Sequence, residues 1–197
     1  MPGYRALPGW LRRERPGPVR HDGLVDLQTL DGALEGDQAH LAALLRAVAD
    51  IHPTRHTRSD WAYRCVELLL LHRGHWYFPA PFPADRKRGD KRHCYTNALR
   101  HSRAHHLSYI EGYALGPHGL PYEHAWCARP DGRVEDPTWP DGAGLAYLGI
   151  PFTARHIAEH EQRHGTTVRL LFDSHLNDGE PLRSGWPAAA GTAAAGR

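Results

Sequence analysis

The stretch HAWCARPDGRVEDPT, residues 124–138, has the pattern of two short strands joined by a tight turn. Pro130 suits the first central position of a type I turn, and Asp131 suits the second. Gly132 can take the left-handed position that follows, which completes a three-residue hairpin loop with a glycine bulge. The sequence therefore predicts a β-hairpin at this point of the chain.

The loop length fixes which residues of the hairpin face one another. A three-residue loop pairs Arg129 with Arg133, so Trp126 faces Asp136 and His124 lies diagonal to Asp136 on the same face. Diagonal neighbours are roughly 7–8 Å apart, which two polar side chains can bridge. Such a pair fixes the imidazole tautomer and supports its positive form. The alternative is that both are surface residues that face the same way.

Cys94 is the best candidate for a nucleophile that the His124–Asp136 pair would activate. It lies in KRHCYTNAL, residues 91–99, after a loop and at the start of a predicted helix. A helix N-terminus and nearby cations favour the thiolate, and five Lys or Arg residues lie in positions 86–92. A thiolate beside an imidazolium is an activated nucleophile. The alternatives are a structural cysteine and a solvated basic loop.

Three motifs together resemble the core of the transglutaminase-like cysteine enzymes: C-Y-x-N-A from position 94, H-A-W from 124 and D-P-T from 136. The leader peptidases of lasso-peptide pathways carry a similar layout. The resemblance covers about 45 residues, from Cys94 to Trp139. It implies that Cys94 is the nucleophile, His124 the general acid and base, and Asp136 the carboxylate that orients His124.

The resemblance leaves the oxyanion donors open, because no glutamine precedes the cysteine closely as it does in papain-type enzymes. The glutamines are Gln28, Gln38 and Gln162. The backbone N–H of Cys94 is one expected donor. The second is expected from Trp76, Tyr77 or the loop 85–92.

Further residues are weaker candidates for contact with a substrate. Asn97, one turn after Cys94, either steadies the helix start or contacts substrate, and Trp126 forms core or a wall of the cleft. Their positions in the sequence place four more candidates along this cleft: Glu111, Tyr113, Tyr122 and Glu123.

A competing pattern is HIAEH, residues 156–160, which matches the H-x-x-E-H signature of a zinc peptidase. His156 and His160 would share a helix face with Glu159 as the base. Charged and polar residues alternate through this helix as they do on a solvated face, so we expect no metal and no cofactor. His101 and His105 are likewise predicted to be helix-surface histidines.

The periodicities predict an α+β fold, with N-terminal helices and a catalytic-type helix packed on a mostly antiparallel sheet. The predicted helices cover 36–51, 59–74 with a Ser59 cap and Cys65 buried inside, a segment that starts at Cys94, and 153–165 from Thr153 to Gly165. The predicted strands cover 108–116, the hairpin arms 121–129 and 133–139, and a last strand 166–172. We expect a loose arm over 1–22, one domain over 23–182 and a disordered tail over 183–197.

Composition narrows the functional classes. Among 197 residues, 41% are hydrophobic and 23% charged, which is typical of a globular protein, and a net charge of +2 gives no broad basic surface for nucleic acid. Three cysteines and no apolar leader predict a cytoplasmic protein without a membrane anchor. The expected partner is a peptide, protein or small amide substrate. The alternative function is a non-catalytic module of the same fold that binds a peptide or partner.

Overall fold

The computed structural model describes residues 34–51, 61–165, 169–173 and 179–184. The fold is α+β, as predicted. The helices in these residues are α1 Gly36–Ile51, α2 Val66–Arg73, α3 Cys94–His105, α4 Ala154–His164 and α5 Glu180–Ser184. The strands are β1 His75–Tyr77, β2 Ser108–Leu115, β3 Pro121–Ala128, β4 Val134–Glu135 and β5 Ala146–Phe152.

The five strands form one antiparallel sheet in the order β1-β5-β2-β3-β4. The sheet curls until its two edges meet. The N–H of Phe78, just after β1, donates to the Gly132 carbonyl at 3.1 Å, and the N–H of Val134 donates to the Phe78 carbonyl at 2.9 Å. These bonds satisfy edge groups that an open sheet would leave unpaired.

The inner and outer faces of the curled sheet carry separate apolar clusters, because side chains alternate along each strand. The outer face packs against the helices and holds the larger cluster. The inner cluster consists of Tyr77, Ile110, Ala114, Trp126, Ala128, Val134 and Tyr147, with Trp139 against it.

Gly149 makes room for Trp126 at the centre of the inner face. A Cβ on Gly149 would lie 2.6 Å from Cη2 of Trp126 and 2.8 Å from the Glu111 carbonyl oxygen. Gly112, opposite it on β2, lets the two strands approach closely, because a Cβ there would lie 2.1 Å from the Leu148 carbonyl oxygen. Trp126 fills the space beside Gly149 and is fully buried.

The hairpin has the predicted register but a shorter second strand. The Arg129 N–H donates to the Arg133 carbonyl at 3.0 Å, and Gly132 has a φ of +78°. The predicted strand 133–139 is wrong beyond Glu135, because the Asp136 carboxylate accepts the N–H groups of the residues that follow it and turns the chain. Proline at 137 has no N–H to continue a ladder.

Three helices begin or end where the sequence predicts. Helix α1 spans 36–51, and α3 begins at Cys94. The Oγ1 of Thr153 accepts the N–H of His156 at 3.2 Å and caps α4, and Gly165, with a φ of +68°, ends it.

The predicted helix 59–74 starts too early. Helix α2 begins only at Val66, and Cys65, although buried, precedes it. The reason is tertiary: the N–H groups of Ala62 and Tyr63 donate to the carbonyls of Arg183 and Leu182 at 3.3 and 2.9 Å, so this segment is committed to the C-terminal helix. Ser59 lies outside the described residues.

The predicted last strand is also wrong where the structure describes it. Residues 169–172 form a turn, and the N–H groups of Leu170 and Leu171 both donate to the buried Glu111 carboxylate at 2.8 Å. Residues 166–168 lie outside the described ranges. Strands β1 and β5 escaped the sequence analysis, although β5 pairs with β1 and β2 in the middle of the sheet.

The predicted arm 1–22 lies outside the described residues, as does 185–197 of the predicted tail. Arg183 and Ser184, at the start of that tail, belong to α5. In the part of the chain that the structure describes, no helix has both the length and the apolar character needed to cross a membrane.

Candidate active site

Cys94 is the first residue of α3, which packs on the outer face of β2 and β3. The preceding residue, His93, makes no side-chain hydrogen bond to the helix, so no N-cap side chain covers the first turn. Cys94 is partly exposed, whereas Cys65 and Cys127 are buried. The Cys127 thiol donates to the Ala98 carbonyl at 3.1 Å, on the helix side of the sheet.

Asn97 joins the start of α3 to the two loops beside it. Its Nδ2 donates to the Asp90 carbonyl at 2.7 Å and to Oγ1 of Thr138 at 3.0 Å. The Gly89 N–H donates to the Pro137 carbonyl at 2.7 Å. Asn97 is 3% exposed, so of its two expected roles the structure gives it the first: it steadies the helix start.

His124 lies in the middle of β3 on the inner face and is 1% exposed. Its Nε2 is 2.7 Å from Oδ2 of Asp136. The Trp139 indole stacks on the imidazole with ring centroids 4.2 Å apart and planes 25° apart. Trp126 lies roughly parallel to the same ring at 6.2 Å. Two indoles and one carboxylate therefore fix the orientation of the imidazole.

Asp136 accepts four hydrogen bonds. Its Oδ1 accepts the N–H groups of Thr138 and Trp139 at 2.8 and 3.0 Å. Its Oδ2 accepts His124 and, at 3.1 Å, the Tyr147 hydroxyl. Burial alone would raise the pKa of Asp136, but the charge and hydrogen bond of His124 and the two N–H groups hold it below its usual range. Asp136 is therefore an ionised, saturated acceptor.

The Cys94 side chain is close enough to His124 to act on the pKa of the imidazole. Burial lowers the pKa of His124, but the charge and hydrogen bond of Asp136, then the hydrogen bond and charge of Cys94, raise it to about 9. Since Asp136 occupies Nε2, Nδ1 is the ring nitrogen left for the thiol. The structure thus brings together Cys94, His124 and Asp136 from a helix start, a strand and a loop.

The sequence analysis missed Tyr147, which bonds to Asp136 from β5. Gly144 is its counterpart, because a Cβ there would collide with the Tyr147 hydroxyl. The signal available was the alternation in AYLGIPF, residues 146–152, whose even positions face the outer core. The glycine and the proline inside that run are uncommon in strands, so the sequence pattern did not indicate one.

The candidates for oxyanion donors from β1 are packed into the two apolar clusters. Tyr77 is buried on the inner face, edge-on to Trp126 with centroids 5.8 Å apart, and Trp76 packs against the outer core. Trp126 lies beneath His124. The backbone N–H of Cys94 remains the donor that the geometry favours.

Three of the four residues expected to line the cleft lie at odd strand positions and face the outer side of the sheet instead. Glu111 is fully buried and binds the turn 169–173, and Tyr113 is buried with its hydroxyl on Glu67 at 2.7 Å. Glu123 is exposed and pairs with Arg169. Tyr122 is on the inner face and is 41% exposed.

The remaining histidines lie in other settings. In α4, Glu159 accepts from Arg155 Nε at 2.7 Å on the exposed face, while His160 is buried. Among the described residues, no three His, Cys, Asp or Glu side chains are grouped to hold a metal ion. The expectation that His101 lies on the surface is wrong: it is buried, with Nε2 3.0 Å from Oε2 of Glu135.

Searches for similar proteins among protein-family models, curated proteins and solved structures find no match. The roles of the residues therefore rest on the geometry and chemistry of this chain.

Proposed function

We propose that the protein is a cysteine enzyme of transglutaminase-like type that breaks an amide bond through a thioester on Cys94. The observation that carries the proposal is the buried His124, held at Nε2 by Asp136 and interacting with the Cys94 side chain. A nucleophile, a base and a group that orients the base are the parts that acyl transfer requires. The substrate class is a peptide, a protein or a small amide.

The reaction follows from these positions. The Cys94 sulfur attacks the amide carbonyl carbon, a C–S bond forms, and the tetrahedral oxyanion collapses with loss of the C–N bond. The imidazolium of His124 gives its proton to the leaving amine. Neutral His124 then takes a proton from water or from a second amine, which attacks the thioester and releases Cys94. Hydrolysis and transamidation differ only in this acceptor.

Asp136 keeps His124 ready for the first proton transfer. With a pKa of about 9, His124 is an imidazolium at neutral pH and can act as the acid. The two indoles beside it exclude water from the ring faces. The first turn of α3 has no side-chain cap, so the Cys94 N–H can donate a hydrogen bond to the developing oxyanion, and the helix dipole adds to its effect.

The first test is residue-resolved alkylation with iodoacetamide, read by mass spectrometry. We expect fast labelling of Cys94 at pH 6–7 in the native protein, and labelling at least about tenfold slower in His124→Ala, because a thiolate paired with imidazolium is the reactive species. Cys65 and Cys127, both buried, are internal controls within the same chain.

The second test asks for acyl transfer with p-nitrophenyl acetate. The native protein should release a burst of nitrophenolate and carry an acetyl group on Cys94, and Cys94→Ala should do neither. Slow labelling of Cys94 that is equal in His124→Ala, with no acetylation, would sink the enzyme proposal. A non-catalytic module that binds a peptide or partner would then be the better interpretation.

A further inference from the structure

An aromatic surface leads from the proposed triad to solvent. Tyr122 lies two residues before His124 on β3, so both side chains stand on the inner face of the sheet. The Tyr122 ring meets Trp139 edge-on, with centroids 5.7 Å apart and an interplanar angle of 85°. Trp139 in turn stacks on His124 at 4.2 Å. The three rings form one continuous aromatic wall that ends at His124.

Tyr122, the ring of this wall that is nearest to solvent, packs against the turn between β2 and β3. The Gly116 N–H donates to the Leu120 carbonyl at 2.9 Å and closes the turn between β2 and β3. A Cβ on Gly116 would lie 2.6 Å from Cε2 of Tyr122, so the ring rests directly on the glycine backbone. Tyr122 is therefore held in place before any substrate arrives, which reduces the entropy lost on binding.

The same turn exposes apolar surface. The large hydrophobic side chains that are exposed in the described residues include Leu120 at 53% and Tyr122 at 41%. Two neighbouring charged residues are paired: Glu123 with Arg169 at 2.6 Å on the opposite strand face, and Arg88, which donates to the Trp139 carbonyl, with Asp141. An exposed apolar patch next to a reactive group marks a binding site more often than chance exposure does.

We propose that Tyr122, with Trp139 and Leu120, forms the subsite for a large apolar side chain of the acyl substrate, next to the amide that Cys94 attacks. This inference rests on the proposed function. The occupant is the substrate because Trp139 stacks on His124, so the aromatic surface is continuous with the proposed catalytic histidine. A flat indole, a tyrosine ring and a leucine recognise apolar surface and offer no charge.

The test compares Cys94 alkylation by three reagents: iodoacetamide, N-phenethyl-iodoacetamide and N-(carboxymethyl)-iodoacetamide. In the native protein we expect the phenethyl reagent to label Cys94 about tenfold faster than iodoacetamide, with saturation, because burial of part of a phenyl group supplies that factor. Tyr122→Ala should bring the ratio of the two rates toward one, and Tyr122→Phe should preserve it. Ile51→Ala, which removes an apolar side chain 81% exposed on α1, is the matched control and should keep the native ratio.

The outcomes separate this inference from the proposed function. Fast labelling by iodoacetamide with no phenethyl preference, or a preference that survives Tyr122→Ala, would overturn the subsite and leave the cysteine enzyme standing. A faster reaction of the carboxymethyl reagent would also overturn it and would point to the basic loop 86–92. Slow labelling of Cys94 by all three reagents would overturn the proposed function itself.

Discussion

Nε2 of His124 lies 2.7 Å from Oδ2 of Asp136, and both groups are buried. The two residues are twelve positions apart, and the glycine-bulged hairpin brings them onto one face. The Asp136 carboxylate favours the protonated form of His124. Because the pKa of His124 is raised from 6.5 to about 9, the stability that its proton contributes is complete below pH 6.5 and is lost as the pH rises through 9.

Asp136→Asn should lower the pKa of His124 below its native value of about 9, because the largest group that raises it loses its charge while burial still lowers it. The measurement is an NMR titration of the imidazole resonance that disappears in His124→Ala. Asp141→Asn is the matched control, since that exposed carboxylate pairs with Arg88 instead, and His124 should still titrate near pH 9. An unchanged titration in Asp136→Asn would contradict the pairing.

Tyr147→Phe should destabilise the fold by about 1–3 kcal/mol, because a buried carboxylate loses one of its donors. Urea unfolding at pH 7 measures the change. Tyr122→Phe removes a hydroxyl from a ring that is 41% exposed and should stay within about 0.5 kcal/mol of the native protein. Equal effects of the two substitutions would show that the Tyr147 hydroxyl contributes nothing to the site.

Glu111→Gln should remove one component of the pH dependence of folding. Burial raises the pKa of Glu111 from 4.5 to about 7, so its contribution to stability is complete below pH 4.5 and is lost as the pH rises through 7. The difference in unfolding free energy between the native protein and Glu111→Gln should therefore change by on the order of 3 kcal/mol between pH 4.5 and 8.

Urea titrations at pH 4.5, 6, 7 and 8 give this difference. Glu161→Gln, on an exposed ion pair with Arg103, is the control for the loss of a carboxylate. A constant difference between Glu111→Gln and the native protein across this range would contradict the burial of an ionisable Glu111.

Glu135→Gln should cost at least about 2 kcal/mol, because Glu135 is buried and accepts from Arg86, Arg129 and His101. This carboxylate ties the loop before Cys94 to the hairpin and to α3. Glu161→Gln breaks an ion pair whose side chains are about half exposed and should cost at most about 0.5 kcal/mol. Thermal or urea unfolding compares them, and similar losses would mean that the Glu135 cluster is no stronger than a surface pair.

Sequence alone determines those parts of the fold whose conformation depends on residues a few positions away. The Pro-Asp-Gly loop sets the hairpin register, so the His124–Asp136 pair is readable from residues 124–138. Thr153 and Gly165 delimit α4 in the same way, and the amphipathic period gives α1. These features depend on backbone preferences and short-range hydrogen bonds, which neighbouring residues decide.

Tertiary contacts decided the rest, because the groups involved are far apart in the chain. The N–H groups of the segment before Val66 donate to the carbonyls of Leu182 and Arg183, so the predicted helix starts later than expected. The N–H groups of Leu170 and Leu171 donate to the Glu111 carboxylate, so the predicted last strand does not form there. The placement of Tyr147 against Asp136 needs β5, which the curled sheet positions. The approach of Cys94 to His124 likewise depends on the packing of α3 against β3, which no spacing along the sequence encodes.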